Sequence, residues 1–391
     1  MILCIIVEQV TYGKKCPAIT DRRTVLVCTG GGTAGHVFPG LAVIEEISNE
    51  AVAVVWIGSR RGIEREIVIA RGISYIAIPS GKLRRYFSLR NVADVFRVCA
   101  GIVVSFFVLA RLRPACIFSK GGFVAVPPVI AARILRISVV THESDYDPGL
   151  ATRIITRFAT RVCVAYPETA RFFPARYSSR IVVTGNPVRS AITRGEAERG
   201  RGFIGLNESF PVVFVLGGSL GAVQINELIG AIRPKLHDRC FLVHQTGLHE
   251  QRASEPRYFS RPFFGEELPD ILAVADMVVS RAGAGSIWEF AATGTPAILI
   301  PLPGGGSRGD QVRNADLYAR SGAAVVLDPE SVTPEELFRT IDRLLSNAEE
   351  RGRMSTAARG FGAPDAAIRI AELISAEMGG RRDHDDEPNS A

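Results

Sequence analysis

The feature that most constrains this chain is an opening that occurs twice: an apolar, β-branched run that passes straight into a glycine turn. The first is Val25-Leu26-Val27-Cys28-Thr29 followed by Gly30-Gly31-Gly32, and the second is Val212-Val213-Phe214-Val215-Leu216 followed by Gly217-Gly218-Ser219. Behind the first, short apolar runs recur from Val52 to Ile57, Tyr75 to Ile78, Ala115 to Phe118, Ile137 to Thr141, Val162 to Ala165 and Ile181 to Thr184, with longer amphipathic stretches between them. After a polar stretch around Thr193 to Glu208 the series restarts, with runs from Phe241 to Gln245, Met277 to Ser280, Ala297 to Pro301 and Ala323 to Leu327. Alternation of this kind predicts an α/β fold with a parallel sheet covered on both faces. Its restart predicts two Rossmann-like domains joined near Asn186 to Arg194, and 391 residues exceed the roughly 250 to 300 at which a single core stops growing. Ligands of such sheets bind beyond the carboxyl ends of the strands, so the expected site is a cleft across which the two sheets face each other.

Composition narrows the class without choosing the chemistry. With 47% hydrophobic and 22% charged residues the chain is globular, and its formal charge of +6 favours anionic partners such as phosphate ligands, acidic headgroups or nucleic acid. Seven cysteines, odd in number and scattered, several within apolar runs, are expected as reduced core thiols in a cytoplasmic protein. Met1 to Val7 is apolar but lacks the basic flank of a signal peptide, so residues 1–23 are expected as an extension. The polar tail, 379–391, is expected to be disordered.

The loops carry the chemistry. Gly30-Gly31-Gly32-Thr33-Ala34-Gly35 satisfies GxGxxG, but a dinucleotide site also needs an acidic residue closing the second strand, where Ile57 instead leads into Gly58-Ser59-Arg60-Arg61. Arginines there would suit a 2′-phosphate, so a phosphorylated nicotinamide cofactor stays an alternative to a plain tight turn. His36 follows the turn directly, where free N–H groups at a helix start face an anion and an imidazole supplies a base. In the second half, Gly217-Gly218-Ser219-Leu220-Gly221-Ala222 opens one helix and Ser280-Arg281-Ala282-Gly283-Ala284-Gly285-Ser286 opens another that carries Trp288 and Glu289. Two convergent loops of this kind suit a diphosphate. Glu289 reads either as a carboxylate stabilising its helix dipole or as an acceptor for ribose hydroxyls. The polar run from Gly304 to Asn314 follows the strand ending at Pro301 and so belongs to the same edge.

Taken in order, Gly31-Gly32-Thr33-Ala34-Gly35-His36-Val37-Phe38-Pro39-Gly40, Lys120-Gly121-Gly122-Phe123, His142-Glu143, Gly185-Asn186-Pro187-Val188-Arg189, Gly217 to Ala222, Ser280 to Ala284, and Asp310-Gln311 with Asn314 resemble the MurG family. These are bacterial transferases that add N-acetylglucosamine to the undecaprenyl-diphospho-muramoylpentapeptide of peptidoglycan synthesis. The resemblance runs from Thr24 to about Met378 and implies the GT-B fold. It implies an acceptor and membrane-facing domain over 24–188 plus 362–378 and a UDP-sugar domain over 189–361. By position it implies that Arg189, Ser219 and Ser286 hold UDP, that Glu289 takes the ribose, and that uracil lies against Phe264-Gly265. Asp310, Gln311 and Asn314 would meet the donor sugar, with Thr33 and Gly35 also at the donor, while Thr33, His36, Phe123 and Asp145 would face the acceptor. Ala34, Leu220 and Ser144-Asp145 depart from the usual pattern, and the last puts the identity of the base in doubt.

The implied reaction is an inverting transfer to the 4-hydroxyl of the muramoyl sugar, with His36 as base, Asp145 orienting or replacing it, and neither a cofactor nor an obligatory metal. Between Gly81 and Arg113, Lys82, Arg84, Arg85, Arg90 and Arg97 lead into about a dozen apolar residues from Cys99 to Ala110, short of the ~20 needed to span a bilayer. This segment reads either as a buried helix with a basic flank or as a surface dipping into an anionic membrane at its cytoplasmic face. No nucleic-acid partner is expected. The rival readings are another UDP-sugar-dependent glycolipid transferase of the same fold, or a non-catalytic UDP-sugar-binding subunit.

Overall fold

The computed structural model describes residues 11–12, 23–47, 50–81, 89–217, 222–247, 253–303 and 309–379. The chain divides into two compact units, Met1–Pro187 with Asp365–Ala391, and Val188–Pro364.

In the first unit the strands are β1 (Thr11–Tyr12), β2 (Thr24–Thr29), β3 (Val52–Ser59), β4 (Ser74–Ile78), β5 (Cys116–Ser119), β6 (Ser138–Glu143), β7 (Arg161–Val164) and β8 (Ile181–Val183). They form one sheet in the order β1-β4-β3-β2-β5-β6-β7-β8, parallel throughout except where β1 runs antiparallel to β4. Alternate residues of β2 serve opposite faces, as the period of a strand dictates. Val27 packs with Val108, Leu109 and Val129 from helices Leu89–Leu112 and Val126–Ile134. Leu26 and Cys28 pack with Leu41 and Ile44 of helix Ala34–Ile47 and with Ile370 and Ile374 of the returning helix Ala366–Gly379.

The second unit has β9 (Val212–Leu216), β10 (Phe241–Gln245), β11 (Ala253–Glu255), β12 (Tyr258–Arg261), β13 (Met277–Ser280), β14 (Ala297–Leu299) and β15 (Ala324–Val326), ordered β11-β12-β10-β9-β13-β14-β15. Only β11 is antiparallel to its neighbour. Phe214 of β9 faces one core cluster while Val213 and Val215 face the other. In each unit the strand that precedes the glycine turn lies where the strand order reverses: β2 between β3 and β5, β9 between β10 and β13. Loops leaving neighbouring strands there diverge and leave a crevice at the sheet's carboxyl edge.

Every strand expected from the sequence is present, with ends shifted by a residue or two. Those the pattern did not reveal are short: β1 and β11 at sheet edges, and β12 between β11 and β10. In β12 the buried positions are Tyr258 and Ser260, so no apolar alternation marks it. Part of the expected extension, Thr11–Tyr12, adds to the edge of the first sheet. Cys28, Cys116, Cys163 and Cys240 are buried free thiols, whereas Cys99 is exposed and Cys4 and Cys16 lie outside the described residues. Burial pushes Cys116, Cys163 and Cys240 up to about 12.

The apolar segment needs a correction. Its helix runs 24 residues, Leu89–Leu112, and the stretch Asp94–Leu112 has the length and mean hydropathy, 2.1, of a membrane-crossing helix. The Asp94–Arg97 ion pair lets Val95, Phe96 and Val98 extend the apolar run by another turn. The helix is nonetheless two-faced. Gly101, Ser105, Val108, Leu109 and Leu112 are buried, while Val95, Phe96, Val103 and Phe107 are exposed.

Trp56 of β3 links the core to the first glycine turn. It is fully buried, its Nε1–H donates to the Gly30 carbonyl at 3.1 Å, and a Cβ on Gly40 would come within 2.8 Å of its ring. Replacing Trp56 with Phe leaves that buried carbonyl without its donor and opens a void. The expected loss is about 2–4 kcal/mol, read from the urea midpoint of the first unit's transition.

Candidate active site

The first glycine turn is shaped by what lies against it. A Cβ on Gly31 would sit 2.6 Å from Glu64 Oε1, and one on Gly32, whose φ is +92°, would sit 3.0 Å from Phe123 Cε1. On Gly122 (φ +79°) it would sit 2.6 Å from the Gly31 carbonyl oxygen. Only glycine permits these approaches, which seat the turn after β2 against the turn after β5. Beyond the turn, Thr33 and Gly35 are exposed and His36 is half-buried. Thr33 Oγ1 lies 2.9 Å from His36 Nδ1, and the His36 amide donates to the Thr33 carbonyl at 3.1 Å. Phe123 opens the 3-10 turn Phe123–Ala125 directly behind Gly122.

The expectation of free amides in this turn is corrected at one position: Gly32 N–H donates to Glu64 Oε2 at 3.3 Å. An internal carboxylate therefore stands where a dinucleotide's pyrophosphate would have to approach, which removes the basis for the nicotinamide alternative.

A buried polar chain lies behind this surface. Lys120, at the end of β5, donates to Ser144 Oγ at 2.5 Å and lies 2.7 Å from His142 Nδ1. Ser144 in turn donates to Asn186 Oδ1 at 2.6 Å, and His142 Nε2 lies 2.9 Å from the Gly185 carbonyl oxygen. With Nε2–H donating to that carbonyl, Nδ1 accepts from Lys120. Burial lowers Lys120 to about 8 against the pull of Glu143 and Asp145, and burial beside Lys120 lowers His142 well below its usual range. Glu143 shapes the next loop by accepting the amides of Asp145 and Gly149, each at 3.1 Å, and this sets the half-buried Asp145 at the end of β6. Ser144, a departure from the family pattern, thus supplies the hydroxyl that bridges Lys120 and Asn186.

In the second unit, helix Ala284–Thr293 starts after β13 with Gly283 at its N-cap and no side-chain cap. A Cβ on Gly283 or Gly285 would meet nothing within 4 Å, so the helix start has open space beside it. Ser286 lies half-buried in the first turn. One turn on, Glu289 Oε1 is 3.2 Å from Arg189 Nη2, with side-chain exposures of 15% and 11%. Burial raises the Glu289 carboxyl above its usual range while Arg189 pulls it back. Arg281 braces the same edge, donating to Gln224 Oε1 at 3.1 Å and to the Ile300 carbonyl at 2.9 Å.

The remaining expected residues are placed as follows. Asp310 opens helix Asp310–Arg320 behind Gly309 (φ +73°). Gln311 Oε1 accepts the Leu302 amide at 3.0 Å, which leaves its amide nitrogen as the group for an outside partner. Asn314 is wholly buried and is not brought to the surface with Asp310. The amides of Phe264 and Gly265 donate to Gln245 Oε1 and Glu267 Oε2, so a base lying there would meet carbonyls first. Ser219 and residues 304–308 lie outside the described residues. The sequence assigned no role to Glu64, to Lys120 and His142 as a pair, or to Arg281. Lys120, His142 and Arg281 stand in strand-end motifs that could have marked them, whereas Glu64 is signalled only as an acidic residue shortly after the second strand.

Comparison with known proteins agrees with this architecture. The glycosyltransferase family 28 N-terminal domain matches residues 26–164 and the family 28 C-terminal domain matches residues 212–370. A UDP-N-acetylglucosamine--N-acetylmuramyl-(pentapeptide) pyrophosphoryl-undecaprenol N-acetylglucosamine transferase of Treponema denticola is 44% identical over 377 residues, covering 89% of this chain and 96% of that protein. A protein of the same description from Bacillus cereus, numbered 2, is 41% identical over 90% of this chain and 99% of its own length. Among solved structures, Acinetobacter baumannii MurG has a TM-score of 0.68 at 27% identity, covering 90% of this chain and 99% of that one. With two parallel-sheet units of the GT-B type, each matched by its half of the family, the chain belongs to glycosyltransferase family 28.

Proposed function

We propose that the chain transfers N-acetylglucosamine from UDP-N-acetylglucosamine to the 4-hydroxyl of the muramoyl sugar of an undecaprenyl-diphosphate-linked muramoylpentapeptide. The observation that carries this reading is the near end-to-end match to relatives of that description, 44% identical across both units.

In this reading the acceptor hydroxyl attacks the anomeric carbon, the bond to UDP breaks with inversion, and the acceptor's proton passes to a base on the first unit. His36 is the proposed base. In the tautomer with Nδ1–H donating to Thr33 Oγ1, Nε2 is left to accept the proton. Asp145, held by Glu143, is the alternative base or the group that orients His36. On the second unit, the uncapped helix start at Ala284 to Ser286 and the Arg189 guanidinium would stabilise the diphosphate leaving group. Glu289 would take the ribose hydroxyls. Asp310 and Gln311 would meet the donor sugar, the latter through its amide nitrogen.

An acceptor with a polyprenyl tail has to be met at a membrane. The exposed face of helix Leu89–Leu112, with Phe96 70% and Val103 55% exposed, is proposed to lie in the interface of an anionic leaflet. Nearby arginines would add about 1 kcal/mol each.

Purified protein given UDP-N-acetylglucosamine and a short-chain lipid acceptor is expected to release UDP only when both are present; donor binding without turnover would favour the non-catalytic rival. His36→Ala is expected to lower kcat by about a hundred-fold or more, whereas near-normal turnover beside an inactive Asp145→Ala would move the base to Asp145. In vesicle flotation the protein should bind anionic membranes, and Phe96→Glu with Val103→Glu should abolish this; binding indifferent to both changes would contradict the proposed contact.

A further inference from the structure

We infer that Glu64 is a positioning residue for the acceptor-side loop, its carboxylate acting as a built-in anion that fixes Gly32 and, through it, Thr33 and His36. This rests on the acceptor reading of the first unit given above.

Glu64 lies in the first turn of helix Ile63–Ala70 and is fully buried. Its two oxygens have different tasks. Oε1 accepts locally, from the Ser59 amide at 3.0 Å and the Ser59 hydroxyl at 2.6 Å, at the end of β3. Ser59 is itself braced, because the Tyr75 hydroxyl donates to its carbonyl at 2.7 Å. Oε2 reaches back across the sheet's edge to the Gly32 amide, the last residue before the exposed Thr33. Among the described residues no lysine or arginine forms an ion pair with Glu64. A buried carboxylate without a cation is tolerated only where hydrogen-bond donors replace its water, so the two backbone amides and the hydroxyl are what keep it there.

The packing has the same consequence. A Cβ on Gly31 would sit 2.6 Å from Oε1 and one on Gly62 2.0 Å from Oε2, while Phe123 bounds the turn on its other side at Gly32. The turn is thus held between a carboxylate and an aromatic ring, and the Thr33–His36 hydrogen bond begins one residue after the clamp. An amide in place of the carboxylate would keep the shape but not the bonding. Glutamine has one acceptor oxygen, so an oxygen on Ser59 turns its NH2 group towards the Gly32 N–H.

The test is steady-state kinetics of full-length Glu64→Gln with a short-chain lipid acceptor, beside calorimetric titration with UDP-N-acetylglucosamine. We expect kcat to fall about ten-fold or more, the scale of a lost charge-assisted hydrogen bond, with the donor Kd unchanged and Tm within a few degrees of wild type. Glu64→Asp, still acidic but one methylene short of Gly32, should lose kcat in the same way and serves if Glu64→Gln does not fold. Wild-type kcat in a folded Glu64→Gln, or a weakened donor Kd that accounts for its loss, overturns the role given to Glu64. Failure of the acceptor reading would show elsewhere: a His36→Ala enzyme with wild-type kcat and acceptor KM overturns that reading itself.

Discussion

The first unit depends on a close approach that no side chain larger than hydrogen permits. Gly31, Gly32 and Gly122 bring two backbone turns together between the Glu64 carboxylate and the Phe123 ring. Trp56 props the turn from within through the Gly30 carbonyl. This contact is possible because β2 and β5 are paired neighbours in the sheet and end at the same edge. The exposed Thr33 and the half-buried His36 follow directly from it. Lys120, His142, Ser144 and Asn186 supply the rigid floor: a chain of buried groups in which burial disfavours protonation of both Lys120 and His142.

The two units share an architecture but differ in how their loops treat negative charge. In the first, a loop amide is already bonded to a carboxylate of the chain itself. In the second, the helix start at Ala284 lacks a side-chain cap and has open space beside Gly283 and Gly285, with a buried guanidinium at Arg189 on the same unit. A helix start in that state is suited to an outside anion. That contrast supports assigning the nucleotide diphosphate to the second unit and the hydroxyl that attacks to the first.

Much of the fold was legible because its strands are buried on both faces and write themselves as unbroken apolar runs, as in Val212 to Leu216. The short strand β12 was not, since Ser260 occupies a buried position and Phe259 the other face. The glycine turns could be read as turns, but not what each glycine makes room for. The role of Glu64 is tertiary: its partner lies 32 residues away, and spacing does not encode that pairing. For the same reason spacing alone does not show that Asn314 is buried or that the Gln311 oxygen accepts the Leu302 amide. The long helix looked too short to span because charged residues interrupt its first turns, two of which, Asp94 and Arg97, pair with each other.

In the proposed division of labour the second unit binds the nucleotide-sugar and the first the acceptor. Calorimetric titration of UDP-N-acetylglucosamine into Glu289→Gln and His36→Ala, side by side with the unaltered protein, tests it most directly. Glu289→Gln is expected to weaken donor binding by about ten-fold or more, and His36→Ala to leave it within about two-fold. Donor affinity lost in His36→Ala and kept in Glu289→Gln would contradict it.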